Sequence, residues 1–302
     1  MLHFIPAPLL GCITFLGVAL NTIFWCIPLF IISIVKLLFP IPEIRCGLSQ
    51  VLARIGESWI KVNNTFISMG THMQWEITGL EKLDRHKWYL ICSNHRSLVD
   101  IPLLQMIFYK RIPFIRFFIK QELFWVPMLG LAWWALDFPF MKRYSRAYLE
   151  KHPEKRGKDL ETARESGKLF RRNPTTILNF VEGTRHTITK HTTQASPYQH
   201  LLRPKAGGVA NILASMQDLD MTVLNVTILY PDGDVVFWDL LCGRVRRAIV
   251  HIEELIIPPE LLHGDYNNDP IFRQKFQEWT QQLWYEKDMF IEKLLRKTHS
   301  VS

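Results

Sequence analysis

The most informative part of this sequence is an apolar run followed by a polar turn: Trp88-Tyr89-Leu90-Ile91-Cys92, then Asn94-His95-Arg96-Ser97-Leu98-Val99-Asp100. A short apolar run that ends in polar turn residues is typical of a buried strand. His95 precedes Asp100 by five positions, and side chains five apart on a regular helix point about 140° away from each other. The two can therefore meet only if His95 lies in the turn that enters the following helix.

A histidine paired with an aspartate in this way suggests acid–base chemistry. A neutral imidazole held by a carboxylate can take a proton from an alcohol near neutral pH. Asn94 and Ser97 suit the helix entry because both side chains can cap free N–H groups. No serine or cysteine stands at an obvious nucleophile elbow, and Ser97 is predicted to form local hydrogen bonds. The base is thus expected to activate a hydroxyl of the substrate.

A second apolar run has the same organisation. Residues 175–181 predict a buried strand, which ends in Glu182-Gly183-Thr184-Arg185. Gly183 permits a tight turn, Thr184 offers a hydroxyl, and Arg185 offers a planar fork of donors that suits a phosphate.

Together these motifs resemble the glycerolipid acyltransferase family, which contains the lysophosphatidate (PlsC-type) acyltransferases. The family hallmarks are Asn-His-x-x-Ser/x-x-x-Asp, which residues 94–100 match in full, and Phe-Pro-Glu-Gly-Thr-Arg, in which Val181 replaces the proline. The resemblance covers residues 75–232, and the sequence of residues 140–149 is most similar to the bacterial YihG-type branch.

Two basic stretches are similar to further family motifs. One is Lys120-Gln121-Glu122-Leu123, and the other is Phe138-Pro139-Phe140-Met141-Lys142-Arg143. Leu136 and Asp137 stand before the second stretch, where many members carry glycine.

The resemblance implies a reaction and a set of site residues. The expected reaction moves a fatty acyl group from acyl-CoA or acyl-ACP, as co-substrate and without a cofactor or metal, to the free hydroxyl of a lysophospholipid. The expected acceptor is 1-acyl-sn-glycerol-3-phosphate, which would give phosphatidic acid with no covalent acyl-enzyme. The implied catalytic residues are His95 and Asp100, and the implied substrate-binding residues are Lys120, Arg143, Glu182, Gly183, Thr184 and Arg185.

Three alternatives remain open from the sequence. The acceptor can be another lysophospholipid, such as lysocardiolipin, because the motifs do not identify the head group. The acyl donor can be a phospholipid, in a transacylase that works without coenzyme A. The third alternative is a membrane protein that binds lipid without catalysis.

Composition agrees with a lipid enzyme. The 302 residues carry a formal net charge of +8, with 19 Phe and 10 Trp. This balance suits an anionic membrane surface, and no motif of the nucleic-acid-binding modules is present, so a nucleic acid is not expected as a partner. The five cysteines have no paired spacing, which argues against a disulfide framework or a zinc site and favours a reducing compartment.

The N-terminus predicts a membrane anchor. No Asp, Glu, Lys or Arg occurs from Phe4 to Val35, a run longer than the roughly 20 residues that span a bilayer. The segment can cross as one tilted helix, or it can bend near Gly17–Asn21 or Pro28 and dip into one leaflet. Positive charges follow the run and none precedes it, which predicts that the C-terminal bulk of the chain lies on the cytoplasmic side. The resemblance to a bacterial branch implies that the membrane is a bacterial inner membrane.

The rest of the chain alternates strands and helices. Strands are predicted at 74–78, 88–92, 114–120, 138–143, 177–181, 223–229 and 248–253, a helix at 154–171, and a terminal helix from Pro270. This pattern favours an α/β fold, a single mixed-sheet acyltransferase domain flanked by helices. The predicted division is an anchor at 1–40, an amphipathic connecting segment at 41–73, and the acyltransferase domain at 74–302. The polar loop 186–200, with three histidines, is predicted to lie beside the substrate rather than to bind a metal.

Overall fold

The computed structural model describes residues 5–70, 73–141 and 158–299. It begins with a hairpin of two long helices, α1 (Ala7–Leu38) and α2 (Pro42–Gly70). The helices are antiparallel, since Gly17 meets the Phe66 ring and Leu10 meets Gly70. Helix α1 continues through Pro28 without interruption, so neither predicted bend breaks it.

The part of the chain after the helix hairpin alternates strands and helices, as the sequence predicts. The described strands are β1 (Gln74–Thr78), β2 (Trp88–Ser93), β3 (Ile115–Phe117), β4 (Ile119–Lys120), β5 (Phe140–Met141), β6 (Thr176–Phe180), β7 (Met221–Leu229) and β8 (Arg247–Glu254). The further helices are α3 (Asp100–Phe108), α4 (Leu129–Ala135), α5 (Lys158–Phe170), α6 (Ile188–Thr193), α7 (Ala206–Ser215), α8 (Phe237–Leu241) and α9 (Pro270–His299). Two short 3₁₀ helices lie at Gln121–Trp125 and Pro259–Leu261.

Six strands form one sheet in the order β1-β8-β7-β2-β6-β3. All neighbours are parallel except β7 and β8, which are antiparallel, so the predicted mixed sheet is confirmed. The single strand predicted at 114–120 is wrong. The chain divides there into β3, which pairs with β6, and β4, which leaves the sheet to pair with β5. Of the strand predicted at 138–143, residues 142 and 143 lie outside the described residues, as do 154–157 of the predicted helix.

Alternating side chains of the sheet build two cores. Leu90, Ile177 and Val223 face α7 and α9, where they meet Val209, Phe276 and Trp284. Ile91, Leu178 and Leu224 face the other side and pack on Leu103 and Leu104 of α3. Each fully buried aliphatic side chain contributes about 1.5–3 kcal/mol relative to exposure, so the central strands β2, β6 and β7 hold a firm platform.

The helix hairpin is fixed to this platform at Asp137. The Lys36 ammonium of α1 lies 2.6 Å from one Asp137 carboxylate oxygen, and the Ser49 hydroxyl of α2 donates to the other at 2.9 Å. Asp137 has φ +62°, a conformation that favours glycine. The strained backbone at this position is thus combined with a carboxylate that joins both helices.

One described helix, α1, is long and apolar enough to cross a membrane. Its inner face packs on α2, and its outer face exposes a continuous set of large apolar side chains, among them Leu9, Phe15, Leu16, Leu20, Phe24, Ile27, Ile31, Ile34 and Leu38. A soluble monomer rarely exposes an apolar surface of this extent, so the outer face fits an apolar environment.

Candidate active site

The polar motifs converge at the carboxyl ends of three adjacent strands. Strand β2 lies between β6 and β7, and all three are parallel to one another. His95 follows β2, Glu182 follows β6, and Tyr230 follows β7. In open α/β sheets this edge is where ligands bind, because loops of neighbouring strands meet there.

The structure brings His95 and Asp100 together. The Nδ1 atom of His95 lies 2.8 Å from Oδ2 of Asp100. The helix begins at Asp100, so His95 lies in the entry turn, which is the arrangement that the spacing required. The His95 side chain is 12% exposed and the Asp100 side chain is fully buried. The imidazole is therefore within reach of a substrate while its partner is excluded from water.

Asp100 is held as a hydrogen-bond acceptor on both oxygens. Its Oδ2 also accepts from the backbone N–H groups of Arg96 at 2.7 Å and Ser97 at 2.9 Å. Its Oδ1 accepts from the Tyr230 hydroxyl at 2.8 Å. Because both oxygens of Asp100 accept from these other donors, Nδ1 of His95 carries the proton and donates it to Oδ2. The other ring nitrogen, Nε2, is then unprotonated and can act as a base.

The side chain and the backbone of His95 are held in place by several contacts. Its ring stacks on Phe180, with centroids 3.8 Å apart and an interplanar angle of 11°. Its carbonyl accepts from the His186 N–H at 2.7 Å. The Asn94 side chain exchanges two hydrogen bonds with the backbone of Ile228, at 2.8 and 2.9 Å. The expected capping role is thus wrong for Asn94, because its amide joins β2 to β7 instead.

Ser97 forms local hydrogen bonds, as predicted. Its hydroxyl donates to the Val235 carbonyl at 2.7 Å and accepts from the Val99 N–H at 3.1 Å. A hydroxyl that donates to a carbonyl and accepts a backbone N–H serves the turn and is not poised as a nucleophile.

Glu182 is a buried carboxyl group. It is 1% exposed, and neither carboxyl oxygen has a hydrogen-bond partner among the described residues. The pKa of Glu182 is raised to about 8, chiefly by burial and to a smaller extent by Asp100, while the charges of Arg96 and Lys287 oppose the shift. A carboxyl group with such a pKa at the edge of a sheet is a mark of a functional site.

The residues after Glu182 turn sharply beside the histidine. Gly183 has φ +68°, which confirms the predicted tight turn, and its N–H donates to the Phe180 carbonyl at 2.8 Å. The Thr184 hydroxyl accepts from the Lys190 ammonium at 2.7 Å. Arg185 is exposed, and within the described parts of the chain no hydrogen bond or ion pair engages its guanidinium. Arg185 is therefore available to an anionic ligand.

The structure shows no contact between Lys120 and the described residues of this site. Lys120 is exposed at the end of β4, and no described side chain pairs with it. Arg143 lies outside the described residues.

The histidine-rich loop contains helix α6 and packs on α9. His200 pairs with Glu292 at 2.8 Å, and His191 contacts the Tyr198 carbonyl at 2.7 Å. His186 has a buried Nε2 without a hydrogen-bond partner in the described residues, and burial lowers its pKa to about 4. Across residues 5–70, 73–141 and 158–299 no group of three or more His, Cys, Asp or Glu side chains is placed to hold a metal ion.

Two contributors were missed by the sequence reasoning, Tyr230 and Phe180. Tyr230 stands at the end of strand β7, and the rule that parallel strands end at one edge could have drawn attention to it. Phe180 occupies a similar position in β6.

Replacing Tyr230 with phenylalanine should leave a buried oxygen of Asp100 without its donor. Burial and Asp100 raise the pKa of Tyr230 well above its usual value, so the hydroxyl stays protonated and donates. Loss of the donor should lower the free energy of unfolding by about 1–3 kcal/mol, measured by urea denaturation in detergent. The matched control is Tyr285→Phe, at an exposed tyrosine of α9. Equal stabilities for both variants would contradict the assigned hydrogen bond.

A buried carboxyl group, an oriented imidazole and an exposed arginine lie at one edge of the sheet, an arrangement that suits the transfer of a group to a hydroxyl. A family model described as Acyltransferase matches residues 74–229, which include both motifs. The chain belongs to the acyltransferase family.

Two proteins illustrate its relationships. An uncharacterized acyltransferase of Schizosaccharomyces pombe is 25% identical over 228 residues, which are 68% of this chain and 59% of that protein. The chain therefore spans well under two thirds of the length of this relative. The crystal structure of the 1-acyl-sn-glycerophosphate (LPA) acyltransferase PlsC from Thermotoga maritima has the same fold, with a TM-score of 0.52 and 17% identity. The match covers 93% of this chain and 96% of that one.

Proposed function

We propose that this acyltransferase moves a fatty acyl group from acyl-CoA or acyl-ACP to the free hydroxyl of a lysophospholipid. Its acceptor is 1-acyl-sn-glycerol-3-phosphate, and its product is phosphatidic acid. The observation that carries the proposal is the 2.8 Å contact between His95 and the buried carboxylate of Asp100, which leaves one imidazole nitrogen as a base. The similarity to an LPA acyltransferase supports the choice of acceptor.

The reaction needs one proton shuttle. His95 Nε2 takes the proton of the acceptor hydroxyl as its oxygen attacks the thioester carbonyl carbon. The carbon–oxygen bond forms, the carbon–sulfur bond breaks, and the thiolate leaves with the proton that His95 returns. Asp100 stabilises the imidazolium between these steps. No acyl group is attached to the protein at any stage.

The acceptor phosphate is bound by arginine in this proposal. Arg185 is exposed, its guanidinium has no described partner, and it follows the tight turn at Gly183 beside His95. A guanidinium fits a phosphate with two parallel hydrogen bonds. Arg143 and Lys120 remain proposed contributors. Thr184 orders the turn through Lys190, and Glu182 forms a hydrogen bond with a substrate hydroxyl.

The protein is proposed to work at a membrane, because its substrates are lipids. The outer face of α1 presents apolar side chains over most of a 32-residue helix. Lys36, Arg45, Arg54 and Lys61 follow that apolar run, which favours the cytoplasmic side of a bacterial inner membrane for the catalytic domain. Membership of the YihG-type branch remains a prediction from the sequence of residues 140–149.

A panel of acceptors tests the substrate. Purified protein in detergent is given acyl-CoA or acyl-ACP with lysophosphatidate, lysophosphatidylcholine or lysocardiolipin, and kcat/KM is measured for each. The highest value is expected for lysophosphatidate. A higher kcat/KM for another lysolipid would show that the acceptor is that lysolipid, while the proposed mechanism would still hold. Transfer from a phospholipid without any thioester would instead identify a transacylase.

Replacing Arg185 with alanine should weaken binding of the acceptor. Loss of a charge-assisted contact of about 1.5–3 kcal/mol predicts a rise of roughly 10–100-fold in KM for lysophosphatidate, with little change in KM for the acyl donor. Initial rates at varied concentrations of each substrate measure both constants. The matched control is Arg164→Ala, at an exposed arginine of α5. A change confined to the donor KM would exclude the phosphate-binding role.

A further inference from the structure

A second arginine lies next to Arg185 at the active-site edge. The N–H group of His186 donates to the carbonyl of His95 at 2.7 Å. That N–H belongs to the peptide unit between Arg185 and His186, and that carbonyl belongs to the peptide unit between His95 and Arg96. One hydrogen bond thus joins the two peptide units from which both arginines extend. Arg96 and Arg185 are therefore close neighbours in space, although they follow different strands.

The Arg96 guanidinium is held at one nitrogen and open at another. Its side chain is 21% exposed. One terminal nitrogen donates to the His200 carbonyl at 3.1 Å, and the other lies 3.4 Å from a carboxylate oxygen of Asp234. In the parts of the chain that the structure describes, no other acidic side chain lies within salt-bridge distance of this guanidinium. A largely buried cation at the active-site edge thus has one distant anionic partner.

Helix α9 fixes the carbonyl group to which Arg96 donates. The Asp288 side chain of α9 is buried, and its two carboxylate oxygens accept from the N–H groups of Gln199 and His200, each at 2.8 Å. The Nε2 atom of His200 also lies 2.8 Å from a carboxylate oxygen of Glu292. Because the loop is tied to α9 at these points, the guanidinium is oriented before a ligand arrives, which reduces the cost of binding.

The contact between Arg96 and Asp234 is weak enough to be exchanged. Its length of 3.4 Å exceeds the roughly 2.7–2.9 Å of a good charge-assisted hydrogen bond. The Asp234 side chain is 76% exposed, and water screens an ion pair with such an exposed partner. A phosphomonoester carries a charge of about −1.5 to −2 and three acceptor oxygens, so it is a stronger partner for a guanidinium than a solvated carboxylate is.

The charge of Arg96 also acts on the groups that line the site. Burial raises the pKa of Glu182 and lowers the pKa of His186. In both cases Arg96 is the charge with the largest effect, and it lowers the pKa of each group. This agrees with a guanidinium that lies at the carboxyl ends of β2 and β6, where the hydrogen bond between their following segments places it.

We propose that Arg96 binds the phosphate of the acceptor together with Arg185, and that this phosphate replaces Asp234 as the anionic partner of Arg96. Two guanidinium groups on adjacent segments can donate to different oxygens of one phosphate. The inference rests on the proposed function, which supplies an acceptor with a phosphomonoester.

The chemistry of the two substrates favours the acceptor as the source of the phosphate. In 1-acyl-sn-glycerol-3-phosphate, one oxygen and two carbon atoms separate the phosphorus from the oxygen that attacks. In the acyl donors, the whole pantetheine arm lies between the phosphate groups and the thioester. A cation in the residue next to His95 is therefore placed for the phosphate of the acceptor.

Binding of dodecyl phosphate tests the site without catalysis. This probe has a phosphomonoester and an alkyl chain but no free hydroxyl to acylate. Isothermal titration calorimetry with the full-length protein in a neutral detergent measures Kd, after subtraction of a titration into protein-free micelles. Loss of a charge-assisted contact should raise Kd roughly 10–100-fold in Arg96→Gln. Arg111→Gln, the same change at an exposed arginine after α3, should leave Kd unchanged.

The outcomes of this titration decide the role of Arg96. An unchanged Kd in a folded Arg96→Gln protein, or no binding to the wild type, would overturn the proposal. If Arg96→Gln does not fold, Arg96→Lys replaces it. That variant keeps the charge but loses the planar fork of donors, so its Kd should still rise above that of the wild type.

Replacing Asp234 with asparagine should have the opposite effect. The change removes the competing carboxylate, so the KM for lysophosphatidate should fall by about two- to fivefold, the range expected for an exposed ion pair. The gain should be lost in the double variant Arg96→Gln/Asp234→Asn, because no guanidinium is then released. An equal gain with and without Arg96 would show that Asp234 acts independently and would contradict the exchange. Asp220→Asn, at an exposed aspartate, is the matched control.

The KM of each substrate identifies the source of the phosphate. Arg96→Gln should raise the KM for lysophosphatidate and leave the KM for acyl-CoA or acyl-ACP nearly unchanged. A rise confined to the acyl donor would exclude the assignment to the acceptor. Absence of acyl transfer by the folded wild type would instead contradict the proposed function, and the Kd values for dodecyl phosphate would still decide whether Arg96 binds a phosphate.

Discussion

Replacing His95 with alanine should lower kcat for acyl transfer by about 10²–10⁴-fold, because a positioned general base contributes an effect of this size. The fold should survive, since the side chain is partly exposed and its main packing contact is the Phe180 ring. Far-ultraviolet circular dichroism and the melting temperature should therefore stay close to those of the wild type. The rate is measured with saturating thioester and lysophosphatidate.

The matched control is His86→Ala. His86 is exposed at the entry to β2, at the opposite edge of the sheet. Its replacement by alanine should therefore leave kcat unchanged. A His95→Ala protein that is folded and turns over at a near-normal rate would remove the base from the mechanism.

Replacing Asp100 with asparagine should have a second large effect, on both rate and stability. The carboxylate accepts four hydrogen bonds, from His95, from two backbone N–H groups and from Tyr230. An amide has only one acceptor oxygen, so its NH₂ group must face a donor in this fully buried site. The imidazole would also lose the partner that fixes its tautomer. We expect kcat to fall by about 10²–10⁴-fold.

Urea denaturation should report a larger loss of stability for Asp100→Asn than for Tyr230→Phe, since more than one buried hydrogen bond is lost. The matched control is Asp220→Asn, at an exposed aspartate just before β7. A variant at position 100 that keeps both rate and stability would show that the carboxylate neither orients His95 nor supports the turn.

The sequence could predict the platform and the paired motifs for a physical reason. Buried parallel strands appear as continuous apolar runs, and strands β2 and β6 both end in polar turns. The spacing between His95 and Asp100 required an entry turn, and the helix indeed begins at Asp100. These features could be predicted from the sequence because residues close together along the chain determine them.

Contacts between distant segments could not be predicted in this way. Asn94 bonds the backbone of Ile228, 134 positions away, and Tyr230 completes the shell of Asp100 across 130 positions. The role of Asp137 depends on two helices that precede it by about a hundred residues, and Lys287 reaches the sheet from the terminal helix. Propensity and periodicity describe neighbours along the chain, whereas these partners are brought together by packing of the whole domain.

The central claim is that the acyl group passes from the thioester to the acceptor without being attached to the protein. A stoichiometric assay with purified protein tests this claim. Acyl-CoA that is radiolabelled in the acyl chain is mixed with lysophosphatidate, and both the labelled phosphatidic acid and the released thiol are counted. One thiol per labelled ester, no label on the protein, and loss of both products in His95→Ala are the predicted results. Label retained on the protein before the acceptor is added, or no transfer from acyl-CoA or acyl-ACP by folded protein, would contradict the mechanism.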